Sequence, residues 1–178
     1  MFKTLILSLI LVAWQSFACP FCDPTVIHNQ SIYQNEDTMI LLSYQPIAKG
    51  HSLIIPKRHV ERYEDLTEAE ILSINKMIKK LQSAVVETMG KSSYLLLQKN
   101  GKEVGQSVPH LHFHFIPREA NGQSAYSLLL SFFIEIFRPK LSVPEMQEII
   151  AQIQKGITDP IVEEKKPIAN EHWQQLGI

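Results

Sequence analysis

Residues 108–116 read VPHLHFHFI, an apolar run in which His110, His112 and His114 recur at every second position. Side chains alternate faces along a strand, so this spacing predicts a β-strand over 108–116 with three imidazoles on one face and Leu111, Phe113 and Phe115 on the other. Neutral imidazole at pH 7 serves as base, nucleophile or ligand. Three such rings on one strand cannot share one ion without a bulge. His110 and His114 would stand about 13 Å apart at ~3.3 Å per residue, whereas a zinc–imidazole bond is only ~2 Å long. The pattern therefore predicts a division of labour, with one histidine in a structural site and two facing a substrate.

Working outward, the preceding segment NGKEVGQS, residues 100–107, brackets a short loop between Gly101 and Gly105. Its glycines allow close backbone approach, and Gln106 and Ser107 add an amide and a hydroxyl beside the imidazoles, a corner suited to a phosphate. GQSVPHLHFHFIPR, residues 105–118, resembles the signature of the histidine triad (HIT) superfamily. GHSLIIPKRHVERYEDLT, residues 50–67, resembles that family's other recurring segment. The resemblance runs from Cys19 to Arg118. It implies an α+β fold, an antiparallel sheet with a long packing helix, often paired into a homodimer.

The 178 residues fit a single globular domain with an appended segment. Seventeen basic residues against eighteen acidic ones leave no electrostatic footprint for nucleic acid. Residues 1–18 are expected to form a signal peptide: MFK supplies a basic start, TLILSLILVAW an apolar core, and Ser16-Phe17-Ala18 a small-residue cleavage site. Export to the periplasm or outside is the expected localisation. An uncleaved membrane anchor is the alternative, and only that would bring the chain into contact with a membrane. Ser16 and Phe17 do not resemble the usual site for lipid attachment at Cys19.

Cys19 and Cys22 are the two cysteines of the chain, and their C-x-x-C spacing is half of a zinc site, a redox pair or a disulfide. With no further cysteine, remaining metal ligands would have to be histidines. Zinc-containing HIT proteins resemble this pattern, which implies Cys19, Cys22, His59 and His110 as ligands of a structural zinc.

The rest reads as scaffold. Met39–Ser43, Ser52–Ile55 and Tyr94–Gln98 are expected strands, divided by turn residues at Gln45-Pro46 and Lys49-Gly50. Thr67 and Glu70 form a capping box, Leu66 and Ile71 stand at staple positions, and Ile71, Ile74, Ile78, Leu81 and Val85 keep helical spacing until Gly90. A second capping box, Ser142 with Glu145, opens an additional C-terminal helix carrying Met146, Ile149, Ile150 and Ile153 and ending at Gly156. The apolar stretch 125–137 is expected to pack in a core, and the region around Pro160 and Pro167 to form a surface tail. His28 and His172 have no motif around them and read as ordinary surface or packing residues. The expected organisation is a signal peptide at 1–18, a HIT-like domain at 19–120 and a helical extension with tail at 121–178.

By resemblance, the expected chemistry is hydrolysis or transfer at the α-phosphate of a nucleotide, through a covalent nucleotidyl-histidine on His112. His114 would stabilise the shifting phosphate charge, Ser107 would assist the leaving group, and backbone amides near Gly105 would cradle the anion, with Gln106 beside them. No catalytic metal is needed. Candidate substrates are nucleotide phosphoramidates and dinucleoside polyphosphates. Two positions depart from the family pattern. Ser43 stands where relatives carry Asp or Asn against the ribose, and Lys99 where they place an amide against phosphate, with Asn100 available after a one-residue shift. A nucleotide- or zinc-binding module with little turnover is the alternative reading.

Overall fold

The run of apolar residues at Met39–Leu42 and Leu53–Ile55 admits no polar face, and the computed structural model, which describes residues 19–119 and 138–157, shows why. Five antiparallel strands, β1 (Ser31–Gln34), β2 (Thr38–Leu42), β3 (Ser52–Pro56), β4 (Ser93–Gln98) and β5 (Phe113–Arg118), form one sheet in the order β1-β2-β3-β5-β4. Its central strands are covered on both sides, so they lack the polar alternation of a half-exposed sheet. On one face Ile40, Leu42, Ile54 and Phe115 pack under two helices, α2 (Glu68–Met89) and α3 (Val143–Gln154). On the other, Met39, Leu41, Leu53 and Ile55 pack with Phe21 from the N-terminal segment, which a short helix α1 (Pro24–Gln30) continues.

Helix α2 follows the capping logic expected for it. The Glu70 carboxylate accepts the Thr67 N–H at 2.8 Å while Thr67 Oγ1 accepts the Glu70 N–H at 3.2 Å, so two orphan amides are satisfied reciprocally. Gly90 closes the helix in the left-handed conformation at φ +68°. The buried stripe is Ile74, Met77, Ile78, Leu81, Ala84 and Val85, whereas Ile71 is half-buried. In α3, Ser142 donates its N–H and hydroxyl to Glu145 Oε2 at 2.8 and 2.6 Å, and Met146, Ile149, Ile150 and Ile153 are buried. The end at Gly156 is a packing requirement, because a Cβ there would lie 2.8 Å from the Cα and carbonyl oxygen of Ala84 in α2. The two elements without a sequence expectation are α1 and β1. Asp23 caps α1 by accepting the Thr25 N–H at 2.7 Å.

The triad segment departs from the expected strand over 108–116. Strand β5 begins only at Phe113; a bend at 108–110 and two residues of irregular backbone, Leu111 and His112, precede it. The cause is backbone pairing: Pro109 has no N–H to offer a ladder, His110 donates its N–H to Val108 O at 2.8 Å, and Leu111 donates to Val60 O at 2.6 Å. This bend turns His110 away from the other two histidines. Among the described residues no helix is long and apolar enough to cross a membrane. Residues 1–18, the apolar stretch 125–137, the tail beyond Ile157 and His172 lie outside the described residues.

Candidate functional site

Strand register sets the floor of the site. Leu53 in β3 stands opposite Leu41 in β2 and His114 in β5, placing the His114 ring in the same row as two apolar residues on the face covered by Phe21. His112 enters from the irregular backbone immediately before β5. Its ring lies edge-on to those of His114 and Phe21, with centroids 4.9 and 5.2 Å apart. His112, His114, Ser43 and Ser107 all line one cavity of about 450 Å³, together with Tyr44, Leu53 and Lys140. That volume falls in the ~300–1,000 Å³ range of small-molecule pockets.

Hydrogen-bond partners assign the proton on each ring. His112 donates from Nδ1 to the carbonyl oxygen of His110 at 2.8 Å, which leaves the Nε2 lone pair unprotonated. His51 accepts the Ile47 N–H on Nδ1 at 3.1 Å and so carries its proton on Nε2, which donates to His114 Nδ1 at 3.0 Å. His114 is thereby held with its own proton on Nε2. One ring of the pair presents a lone pair on Nε2 and the other an N–H. Burial keeps all of them neutral: it pushes His51 and His114 down to about 3, with neighbouring cationic groups adding to the effect, and holds His112 below its ordinary value.

His110 goes elsewhere. It donates from Nε2 to Pro56 O at 2.9 Å and presents Nδ1 to two sulfurs, Cys19 Sγ at 3.3 Å and Cys22 Sγ at 3.6 Å. His59 Nδ1 lies 3.5 Å from Cys22 Sγ, and the four donor atoms all lie within 4.8 Å of one another. Bond lengths of ~2.3 Å to sulfur and ~2.05 Å to nitrogen put sulfur and nitrogen roughly 3.6 Å apart in a tetrahedral zinc site. The three sulfur–nitrogen separations match that edge, so the residues present fit the metal. Burial and the adjacent Cys19 push the Cys22 thiol up, a cost that a bound cation would reverse.

The glycine loop differs in detail from its expected role. The amides of Gly105 and Gln106 are consumed by the loop itself, donating to Lys102 O at 3.0 Å and Gly101 O at 3.1 Å. Ser107 is different, since neither its N–H nor its hydroxyl has a hydrogen bond among the described residues and it lines the cavity. Among the described residues the donors this corner leaves open to the cavity are therefore those of Ser107. Gln106 is buried and pins the loop, accepting from Gly101 N at 2.7 Å and donating to Glu61 O and Val108 O at 2.9 and 3.1 Å. Asn100 turns away from the cavity, accepting from Tyr63 N and donating to Glu64, both at 2.8 Å. Lys99 is not among the residues lining the cavity; its charge adds a small effect to the burial that lowers the proton affinity of His112 and His114. Gly105 is required beside it by its backbone alone, since at φ +84° a side chain would be strained.

Three residues of the site carried no role from sequence. His51 had a signal, its place in the 50–67 segment, but nothing local marks it as the partner of a residue 63 positions away. Phe21 and Lys140 had none, because both reach the cavity by tertiary packing.

Comparison with known proteins supplies a family for this arrangement. The HIT domain profile matches residues 24–121. An uncharacterised HIT-like protein of Methanocaldococcus jannaschii is 37% identical over 93 residues, covering 52% of this chain and 71% of that one. The bis(5'-adenosyl)-triphosphatase of Dictyostelium discoideum is 30% identical over 148 residues, covering 80% of this chain and 93% of its own. Two further relatives are longer, and this chain spans 20% and 58% of them. In fold, the chain superposes on the crystal structure of a hypothetical histidine triad nucleotide-binding protein from Sulfolobus tokodaii with a TM-score of 0.63 at 24% identity, covering 78% of this chain and 91% of that one.

Proposed function

This chain belongs to the HIT domain family, and on that premise we propose that it hydrolyses or transfers nucleotides at the α-phosphate through a covalent nucleotidyl-histidine on His112. The observation that carries this reading is the 2.8 Å bond from His112 Nδ1 to the His110 carbonyl, which exposes an unprotonated Nε2 in a cavity of nucleotide size. Nε2 attacks the α-phosphorus, a nitrogen–phosphorus bond forms, and the bond to the leaving group breaks. The Ser107 hydroxyl donates a hydrogen bond to the departing atom, which takes its proton from solvent. His112 becomes cationic in this step, and the His110 carbonyl that holds its Nδ1–H stabilises that charge. His114 Nε2–H and the Ser107 amide face the phosphate oxygens. Water then displaces the nucleotide from His112: an oxygen–phosphorus bond forms, the water loses a proton to solvent, the nitrogen–phosphorus bond breaks, and His112 returns to neutral imidazole.

Phosphoramidates and dinucleoside polyphosphates are the proposed substrates, and the relative from Dictyostelium, named as a bis(5'-adenosyl)-triphosphatase, supports that class. The test is turnover against adenosine phosphoramidates and dinucleoside polyphosphates, with phosphorus label trapped on His112 in a quenched reaction. Tight nucleotide binding without turnover or label would replace hydrolysis with a binding role.

Cys19, Cys22, His59 and His110 would hold a structural zinc, whose chemistry would be to tie the N-terminal segment to the loop after β3. A homodimer is proposed through the edge strand β4, where Tyr94 and Leu96 are 41% and 38% exposed, and solution mass tests it. Export is proposed from the sequence of residues 1–18 alone. Cell fractionation with N-terminal sequencing decides it: a soluble chain starting at Cys19 supports a cleaved leader, and a cytoplasmic chain retaining Met1 defeats it.

A further inference from the structure

The cavity that holds His112 and His114 extends across the sheet to Ser43 and Tyr44, just past the end of β2. Leu41, Leu53 and His114 stand side by side on three neighbouring strands. At ~4.8 Å per strand and ~3.3 Å per residue, Ser43 lies roughly 12 Å from His114, backbone to backbone. That separation suits the ribose end of a nucleotide whose 5′ phosphorus faces His112.

At this far end the pocket carries a cation. The segment 138–141 crosses its mouth, pinned by Leu141 N–H to Tyr44 O at 2.8 Å and by Gln45 Nε2 to Arg138 O at 2.8 Å. It sets Lys140 on the cavity wall, its Nζ 5.5 Å from the centre of the Tyr44 ring. Among the described residues Lys140 makes no ion pair, and the hydroxyl of Ser43, a residue only 8% exposed, makes no hydrogen bond. Among the described residues no carboxylate lines the cavity.

This chemistry does not suit an unmodified ribose diol. Two hydroxyl donors are best held by a carboxylate, and nucleotide-binding folds that accept a ribose phosphate instead put a basic side chain there. We propose that this pocket takes a nucleotide carrying a second phosphate on its ribose 2′ or 3′ oxygen, held by Lys140 and the Ser43 hydroxyl. The ammonium acts as a mobile point charge and the serine as a neutral donor to a phosphate oxygen. The inference rests on the nucleotide reading above and specifies the substrate class of that same site.

The test is calorimetric titration of the full chain with AMP, adenosine 2′,5′-bisphosphate and adenosine 3′,5′-bisphosphate, on wild type, Lys140→Gln and Lys140→Arg. One bisphosphate is expected to bind at least tenfold more tightly than AMP, and the isomer that does so identifies the oxygen. Lys140→Gln should collapse that ratio towards one, whereas Lys140→Arg should preserve most of it. A ratio is insensitive to partial loss of folded protein, since both ligands are read on the same sample. AMP binding as tightly as either bisphosphate in the wild type would overturn this proposal and leave the nucleotide reading standing, as would a preference that survives Lys140→Gln. Failure of all three to bind would overturn both.

Discussion

His112 and His114 stand two residues apart, yet their backbone and side-chain partners give them opposite protons. A carbonyl takes the Nδ1–H of His112, and the Nε2–H of His51 blocks Nδ1 of His114. His112→Asn is expected to reduce turnover by roughly a thousandfold or more while nucleotide affinity persists, because it removes only the attacking nitrogen. Single-turnover kinetics beside a binding titration separates the two quantities, and near-normal turnover would sink the mechanism. His51→Leu removes the group that sets the His114 tautomer. It should lower kcat by up to about a hundredfold, with a shift in the His114 ring nitrogen signals by NMR. A loss of kcat without that shift would assign His51 to packing alone.

Helix α2 depends on a carboxylate that is nearly buried at its first turn. Glu70 closes the capping box and receives a two-pronged contact from Arg58, Nε to Oε1 at 3.0 Å and Nη2 to Oε2 at 2.8 Å. The Arg58 hydrogen bonds, outweighing burial, hold its carboxyl down at about 2. A folded-state value below the unfolded ~4.3 means that the stabilisation is fully present above that pH and fades as pH falls towards 2. Urea midpoints at pH 5 and pH 3 should therefore differ for the wild type and differ less for Glu70→Gln, which should also lose about 1–2 kcal/mol at pH 7. At the other end of the same layer, Gly156 meets the Ala84 backbone too closely for any side chain. Gly156→Ala should cost about 1–3 kcal/mol, read as a lowered thermal midpoint, through separation of α2 and α3.

Across the whole molecule the two faces of the sheet do different work. One is a continuous apolar layer under α2 and α3, and the other carries both the cavity and the Cys-His cluster beneath a short N-terminal segment. Phe21 belongs to both parts, since its ring contacts His110 of the cluster and His112 of the cavity, with centroids 5.9 and 5.2 Å away. Stripping metal from the purified protein should therefore lower its thermal midpoint and loosen the 19–30 segment first, detectable as faster hydrogen exchange there. Purified protein with no zinc and a Cys19–Cys22 disulfide would assign the pair to redox chemistry instead.

Local patterns in the sequence determined a great deal. Capping boxes at Thr67 and Ser142, the helical stripe from Ile74 to Val85 and the presence of four of the five strands all rest on interactions within a few residues, where spacing and chemistry suffice. Only the tertiary structure decided where β5 begins, because the Leu111 N–H is claimed by Val60, a residue 51 positions earlier. It also decided that the Gly105 and Gln106 amides are spent inside their own loop, that Asn100 faces Tyr63 and Glu64, and that His51 and Lys140 reach the cavity. These outcomes depend on which distant backbone groups and side chains compete for the same donor or the same wall, and that competition exists only once the sheet has brought them together.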